Sequence, residues 1–142
     1  VVATVSVGTG PSQLVHHPTL ARLYVTNWND NSVSVVDSGT YAALATIPVG
    51  NSPSGIEVTP NGSFVYVANW SSNPGQLSVI GTGTNAVVAT VTLAGTNGPT
   101  GVAVSPSGSR IYAGCVFTTN IAAVDTATQT LVGTPANVNG WA

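Results

Sequence analysis

Apolar and polar residues alternate along most of this chain, and the alternation has a period of two. Leu77 and Val79, with Ser78 between them, and Ala89, Val91 and Leu93, with Thr90 and Thr92 between them, follow it. A period of two places successive side chains on opposite faces of a strand. Clusters of Gly, Pro, Asn and Ser punctuate the runs and mark turns. In the stretch that shows this best, four strands are predicted: roughly Gly55–Thr59, Phe64–Asn69, Gln76–Ile80 and Val87–Leu93. Pro60-Asn61-Gly62 separates the first two, and Asn-Gly accepts the positive φ of a tight hairpin. No apolar stripe at helical spacing occurs, so the chain reads as all-β.

The pattern recurs. Val1-Val2-Ala3-Thr4-Val5 returns as Ala43-Leu44-Ala45-Thr46-Ile47 and as Val87-Val88-Ala89-Thr90-Val91, and a degenerate copy begins at Leu131. Tyr24-Val25-Thr26-Asn27 matches Tyr66-Val67-Ala68-Asn69 and, more loosely, Tyr112-Ala113-Gly114-Cys115. The repeats are 1–42, 43–86 and 87–130, with 131–142 as the start of a fourth repeat or a closing strand. Four antiparallel strands in a period of about 40–45 residues make a β-propeller blade. The chain therefore holds about three blades of a single propeller segment, a partial ring or one completed by another chain.

Tyr24-Val25-Thr26-Asn27, then Ser34-Val35-Val36-Asp37, then Ala45-Thr46-Ile47-Pro48-Val49-Gly50 resembles the YVTN family of β-propeller repeats. That resemblance implies a propeller fold and an extracellular or cell-surface setting of the surface-layer kind. Similar propellers also include lactonases and cofactor-bearing enzymes. The third repeat departs from the motif, with Gly114 and Cys115 in place of Thr and Asn.

A closed propeller has about 4–8 blades. Three blades leave an apolar face at each end and unpaired strand edges, which invite association. The terminal segments, with Val2 and Thr4 at one end and Val132 and Val138 at the other, are expected to serve as assembly strands. The partners implied are other copies of the chain or the rest of a longer propeller.

Composition sharpens this picture. Only 4 % of the 142 residues are charged and the formal net charge is −2, against about 25 % charged in an ordinary soluble domain. Two arginines give no footprint for nucleic acid. No apolar run approaches the ~18 residues of a membrane-spanning helix, and no basic-then-apolar leader opens the chain. One cysteine, Cys115, excludes an internal disulfide. Four of the six charges recur at matching places: Arg22 with Asp37, and Arg110 with Asp125. Each pair is expected to meet across a hairpin as a structural ion pair, worth roughly 0–1 kcal/mol when exposed.

Candidate chemistry is sparse. Trp28 and Trp70 stand at equivalent places, each preceded by Asn. With Asn29 and Asn69 they form a candidate ligand-binding face, on which indoles stack against a sugar or another neutral ligand; the alternative is that the rings only pack. His16 and His17 are adjacent on a strand and point to opposite faces, which argues against a shared metal. Asn29-Asp30-Asn31 is too poor in charge for calcium. Glu57 lies on a predicted inner strand, as a channel-lining residue or a general base. No catalytic set, metal site or cofactor is expected. The reading drawn is a non-catalytic extracellular module acting in self-assembly or protein interaction. Two alternatives stand beside it: glycan or small-ligand binding on the Trp28/Trp70 face, and a fragment of a lactonase-like or cofactor-bearing enzyme whose site lies elsewhere.

Overall fold

A computed structural model describes residues 1–137. Three antiparallel sheets succeed one another along the chain, with no helix among the described residues. The first blade is β1 (Pro11–His16), β2 (Arg22–Asn27), β3 (Ser32–Asp37) and β4 (Ala43–Pro48). The second is β5 (Pro53–Val58), β6 (Phe64–Asn69), β7 (Gly75–Gly81) and β8 (Ala86–Leu93). The third is β9 (Pro99–Val104), β10 (Arg110–Cys115), β11 (Asn120–Asp125) and an outer strand in two pieces, β12 (Thr130–Leu131) and β13 (Ala136–Asn137). Each sheet runs in chain order from its first to its last strand. The first strands of the three blades are neighbours and line the inner side of the arc.

The period-two pattern explains the packing. On β6, Val65 and Val67 turn toward the first blade and join a core with Tyr24, Val33 and Val35. Tyr66 and Ala68, on the other face of β6, join a second core with Ile111, Ala113 and Val124 of the third blade. The middle blade is thus buried on both faces. The end blades are not. Tyr24 and Tyr66 are fully buried, while Tyr112 at the same place in the third copy is 41 % exposed. Ile121 of the third blade and Leu14 of the first are also exposed. No closed ring forms among the described residues.

The two terminal segments are placed differently. Residues 1–7 form no strand, and Val2 is almost fully exposed. Val132 donates its amide to the Ala123 carbonyl at 2.8 Å, at the outer edge of the chain's own third blade. Gly133 at φ 62° and Pro135 interrupt that edge, because a proline offers no amide to a ladder. Val138 lies outside the described residues.

Candidate functional site

The loops that lead into each blade meet the turns between its second and third strands on one face of the arc. The meeting is stitched identically three times. The amides of Trp28, Trp70 and Val116 donate to the carbonyls of Gly10, Ser52 and Gly98, at 2.9, 3.1 and 3.0 Å. Gly10, Ser52 and Gly98 all have positive φ, which turns those carbonyls toward the amides. The next amide along, of Asn29, Ser71 and Phe117, makes a second bond to the same loop in each blade.

This stitching aligns three rings into a ladder. Trp28 and Trp70 have centroids 5.1 Å apart at 43°, and Trp70 and Phe117 are 5.2 Å apart at 59°. These are the tilted contacts that aromatic quadrupoles favour. The indoles are half-buried and Phe117 is exposed. Phe117 is absent from the sequence reading because Val116 holds the tryptophan position in the third copy. The ring comes from the residue after it. The residues that follow Trp70 in the chain help line a 230 Å³ pocket, with Asn51, Ser71, Asn73 and Gln76 in its walls and no charged side chain.

Asn69 does not belong to that exposed face. It is 1 % exposed, and its Nδ2 donates to Ser78 Oγ at 3.0 Å. Asn27 does the same with Ser32 and Ser34. A Cβ on Gly50 would fall 2.4 Å from the Asn69 side chain, so the amide is clamped under the incoming loop. Asn69 is therefore scaffold, and Asn29 is the exposed amide beside Trp28. In the third blade Cys115 replaces the Asn and Ala122 replaces the Ser, so the polar cluster becomes apolar as a unit. Burial pushes the Cys115 thiol pKa up, against a smaller opposing effect of a hydrogen bond with Thr96.

Arg110 and Asp125 face each other across β10 and β11 and form an ion pair. Arg22 and Asp37 also stand opposite each other, but the expected ion pair is not made. Arg22 Nη1 instead donates to the Thr82 carbonyl of the next blade at 3.1 Å. Asp37 Oδ1 accepts the Gly39 and Thr40 amides at 2.8 and 2.7 Å. The two pairs differ in whether a neighbouring blade is within reach. Arg22 has a second blade beside it, whereas Arg110 has no further blade among the described residues and folds back onto Asp125. The Thr40 amide, then the Gly39 amide, holds the Asp37 carboxyl below its ordinary value. The Thr128 amide is the largest cause of the same shift at Asp125, which the Ala127 amide and Arg110 also lower.

His16 and His17 separate as their alternation requires. His16 is exposed and bonds Ser38 Oγ at 3.2 Å. His17 is buried; its Nδ1 accepts the Thr19 and Leu20 amides, so Nε2 carries the proton and donates to the Gly62 carbonyl at 2.8 Å. Asp30 and Asn31 brace neighbouring loops through the Thr9 and Ser52 amides. Glu57 stands half-buried on β5, and its carboxylate accepts the Val58 amide at 3.0 Å. It is the one carboxylate on the three inner strands.

Comparison with known proteins places this geometry. The family model described as "Lactonase, 7-bladed beta-propeller" matches residues 1–139. Among solved structures, hydrazine synthase of Kuenenia stuttgartiensis is similar over 91 % of this chain, with 26 % identity and a TM-score of 0.81. A functionally unknown protein from Desulfotomaculum acetoxidans is similar over 89 % of the chain, with 20 % identity and a TM-score of 0.73. The matched region spans 36 % of the first protein's chain and 42 % of the second's. No curated protein matches. The resemblance to YVTN repeats agrees with these findings at the level of the propeller. The expectation of a non-catalytic role is overturned, because the matching family is named for an enzyme activity. That expectation rested on a missing catalytic set, and a three-blade segment shows too little of a ring for the absence to count.

Proposed function

Since the chain belongs to the family of seven-bladed lactonase propellers, we propose that it forms three blades of an enzyme that opens lactone rings by hydrolysis, with most of the catalytic set on blades beyond these. The match of that family over residues 1–139 carries the reading. The uncovered faces support it: Tyr112 offers further blades the surface that Tyr24 and Tyr66 bury inside the arc. Lactone hydrolysis requires a base to take a proton from the attacking water, and donors for the developing oxyanion. Within this segment Glu57 is our choice for a carboxylate contributed to the axis, where the inner strands converge.

The test is proton release from a panel of γ- and δ-lactones, measured by pH-stat with the longest natural form of the protein and its Glu57→Gln variant. The proposal expects turnover, reduced about 10²-fold or more in the variant, as for loss of a general base. No turnover of any lactone rejects the enzyme reading. Turnover unchanged in Glu57→Gln keeps it and removes Glu57.

The aromatic ladder favours a second reading, in which the loop face holds a glycan or small polar ligand. Trp28 and Trp70 offer ring surface, and the uncharged pocket lined by Asn51, Ser71 and Gln76 offers hydroxyl and amide partners. Trp28→Ala with Trp70→Ala should abolish binding on a glycan array, and unchanged binding removes the idea.

A further inference from the structure

The opposite face of the arc carries a cavity between the second and third blades. Its origin is visible by comparing the two interfaces residue by residue. Between the first and second blades, the His17 imidazole fills the space over Gly62 and donates to its carbonyl. The Thr82 hydroxyl donates to the same carbonyl. Arg22 reaches the Thr82 carbonyl, and the Tyr24 hydroxyl reaches Asn85 Oδ1 at 3.0 Å. The named polar groups of that interface are all paired.

Between the second and third blades the same places hold other residues. Gly108 stands for Gly62 and Thr126 for Thr82, and the Thr126 hydroxyl donates to the Gly108 carbonyl at 2.6 Å. Thr59 stands for His17, but its hydroxyl bonds within its own turn, to Asn61 Oδ1 at 2.8 Å. Pro60 takes part of the room over Gly108, and a proline has no N–H to give. Phe64 stands for Arg22, and Gln129 for Asn85. The Tyr66 hydroxyl, the counterpart of Tyr24's, is buried without a hydrogen-bond partner. The result is a cavity of 410 Å³ with Thr59, Phe64, Ser107, Gly108 and Gln129 in its walls and no charged side chain. Both walls come from blades inside this chain.

We propose that this cavity binds a small, neutral, planar nitrogen heterocycle, which donates an N–H to the Gly108 carbonyl and lays its ring against Phe64. The first interface supplies the template: an imidazole N–H on the equivalent carbonyl, beside the same threonine hydroxyl. The volume falls in the range of small-molecule sites, roughly 300–1,000 Å³. The uncharged wall selects a neutral ligand, because an ion would lose its hydration without a partner. This site is independent of the lactone-opening reading and lies on the other face from the aromatic ladder.

The experiment uses imidazole itself, above its own pKa, titrated into the isotope-labelled chain and monitored by NMR. Saturable shifts are expected at Gly108, Thr126 and Phe64. Thr59→His, which restores the template's ring, should weaken binding about tenfold or more, the equivalent of one hydrogen bond. Phe64→Leu should weaken it as well and covers the case in which Thr59→His does not fold. The proposal is overturned if imidazole gives no saturable shift at these residues. It is also overturned if both variants that fold bind as the parent does, or if glucose occupies the same residues with equal or greater affinity.

Discussion

Replacing Gly55 by alanine tests the packing of the blades more directly than any core truncation. Gly55 lies on β5 where it passes β9. A Cβ there would lie 2.3 Å from the Thr100 carbonyl oxygen, 3.0 Å from the Val102 nitrogen and 3.1 Å from Gly101 Cα. All three are backbone atoms, so no side chain can swing aside. The strands must part by about 1 Å to restore ordinary contact. That movement strains the bond from Ser54 Oγ to the Thr100 carbonyl, 3.0 Å long. Overpacking of this kind costs about 1–3 kcal/mol and the lost hydrogen bond about 1 kcal/mol. The stiffer unfolded chain returns about 0.5–1 kcal/mol. The net loss is about 1–3.5 kcal/mol, or roughly 3–10 °C in melting temperature for a chain of this size. Gly101→Ala is the matched control. Nothing lies within 4 Å of its added Cβ and its φ is not positive, so it should be neutral or stabilise by about 0.5 kcal/mol. Thermal melts monitored by tryptophan fluorescence compare the two. Variants that melt within about 2 °C of each other would refute the close approach of β5 and β9.

Two further outcomes concern the polar groups. Tyr66→Phe should leave stability unchanged or raise it, since it deletes a buried hydroxyl with no partner, whereas Tyr24→Phe should cost about 1 kcal/mol by breaking the bond to Asn85; urea midpoints decide, and equal losses would contradict the pairing. Burial, with Asp125 adding to it, pushes the Tyr66 hydroxyl up to about 12, so the phenol should stay un-ionised in an ultraviolet titration until the fold opens. Asp37 and Asp125 have folded pKa values below their ordinary 3.8. A lowered folded value makes their contribution present above the unfolded pKa and lost as pH falls below it through the folded value. Stability should therefore decline with acid from about pH 4 downward, with a shallower decline in Asp37→Asn/Asp125→Asn; an unchanged slope would show that these turn amides do not hold the carboxylates.

Much of the fold was legible because its signal is local. For the second blade, the predicted Phe64–Asn69 strand coincides with β6; the predictions for β5 and β7 differ by one or two residues at each end, and that for β8 by one residue at its start. What a strand residue does beyond its own sheet was less legible. Asn69 looked like a surface amide beside a tryptophan, and it is clamped beneath a loop by Gly50 and Ser78. Catalysis was misjudged for a different reason. A propeller site gathers residues from several blades around one axis, and three blades present a single inner carboxylate, Glu57.

By itself the sequence determined the all-β class, the four-stranded repeat and the face on which each alternating side chain lies. Those arise from backbone periodicity and turn chemistry, which act over a few residues. Tertiary structure alone decided the partners across blades. Arg22 finds Thr82, 60 residues away, in place of Asp37 at its side. Phe117 completes a ladder begun by two tryptophans. One interface closes over an imidazole while the next keeps a 410 Å³ cavity. The reason is that neighbouring blades touch through side chains of unequal size at equivalent places, and repeat spacing records the place without recording the fit.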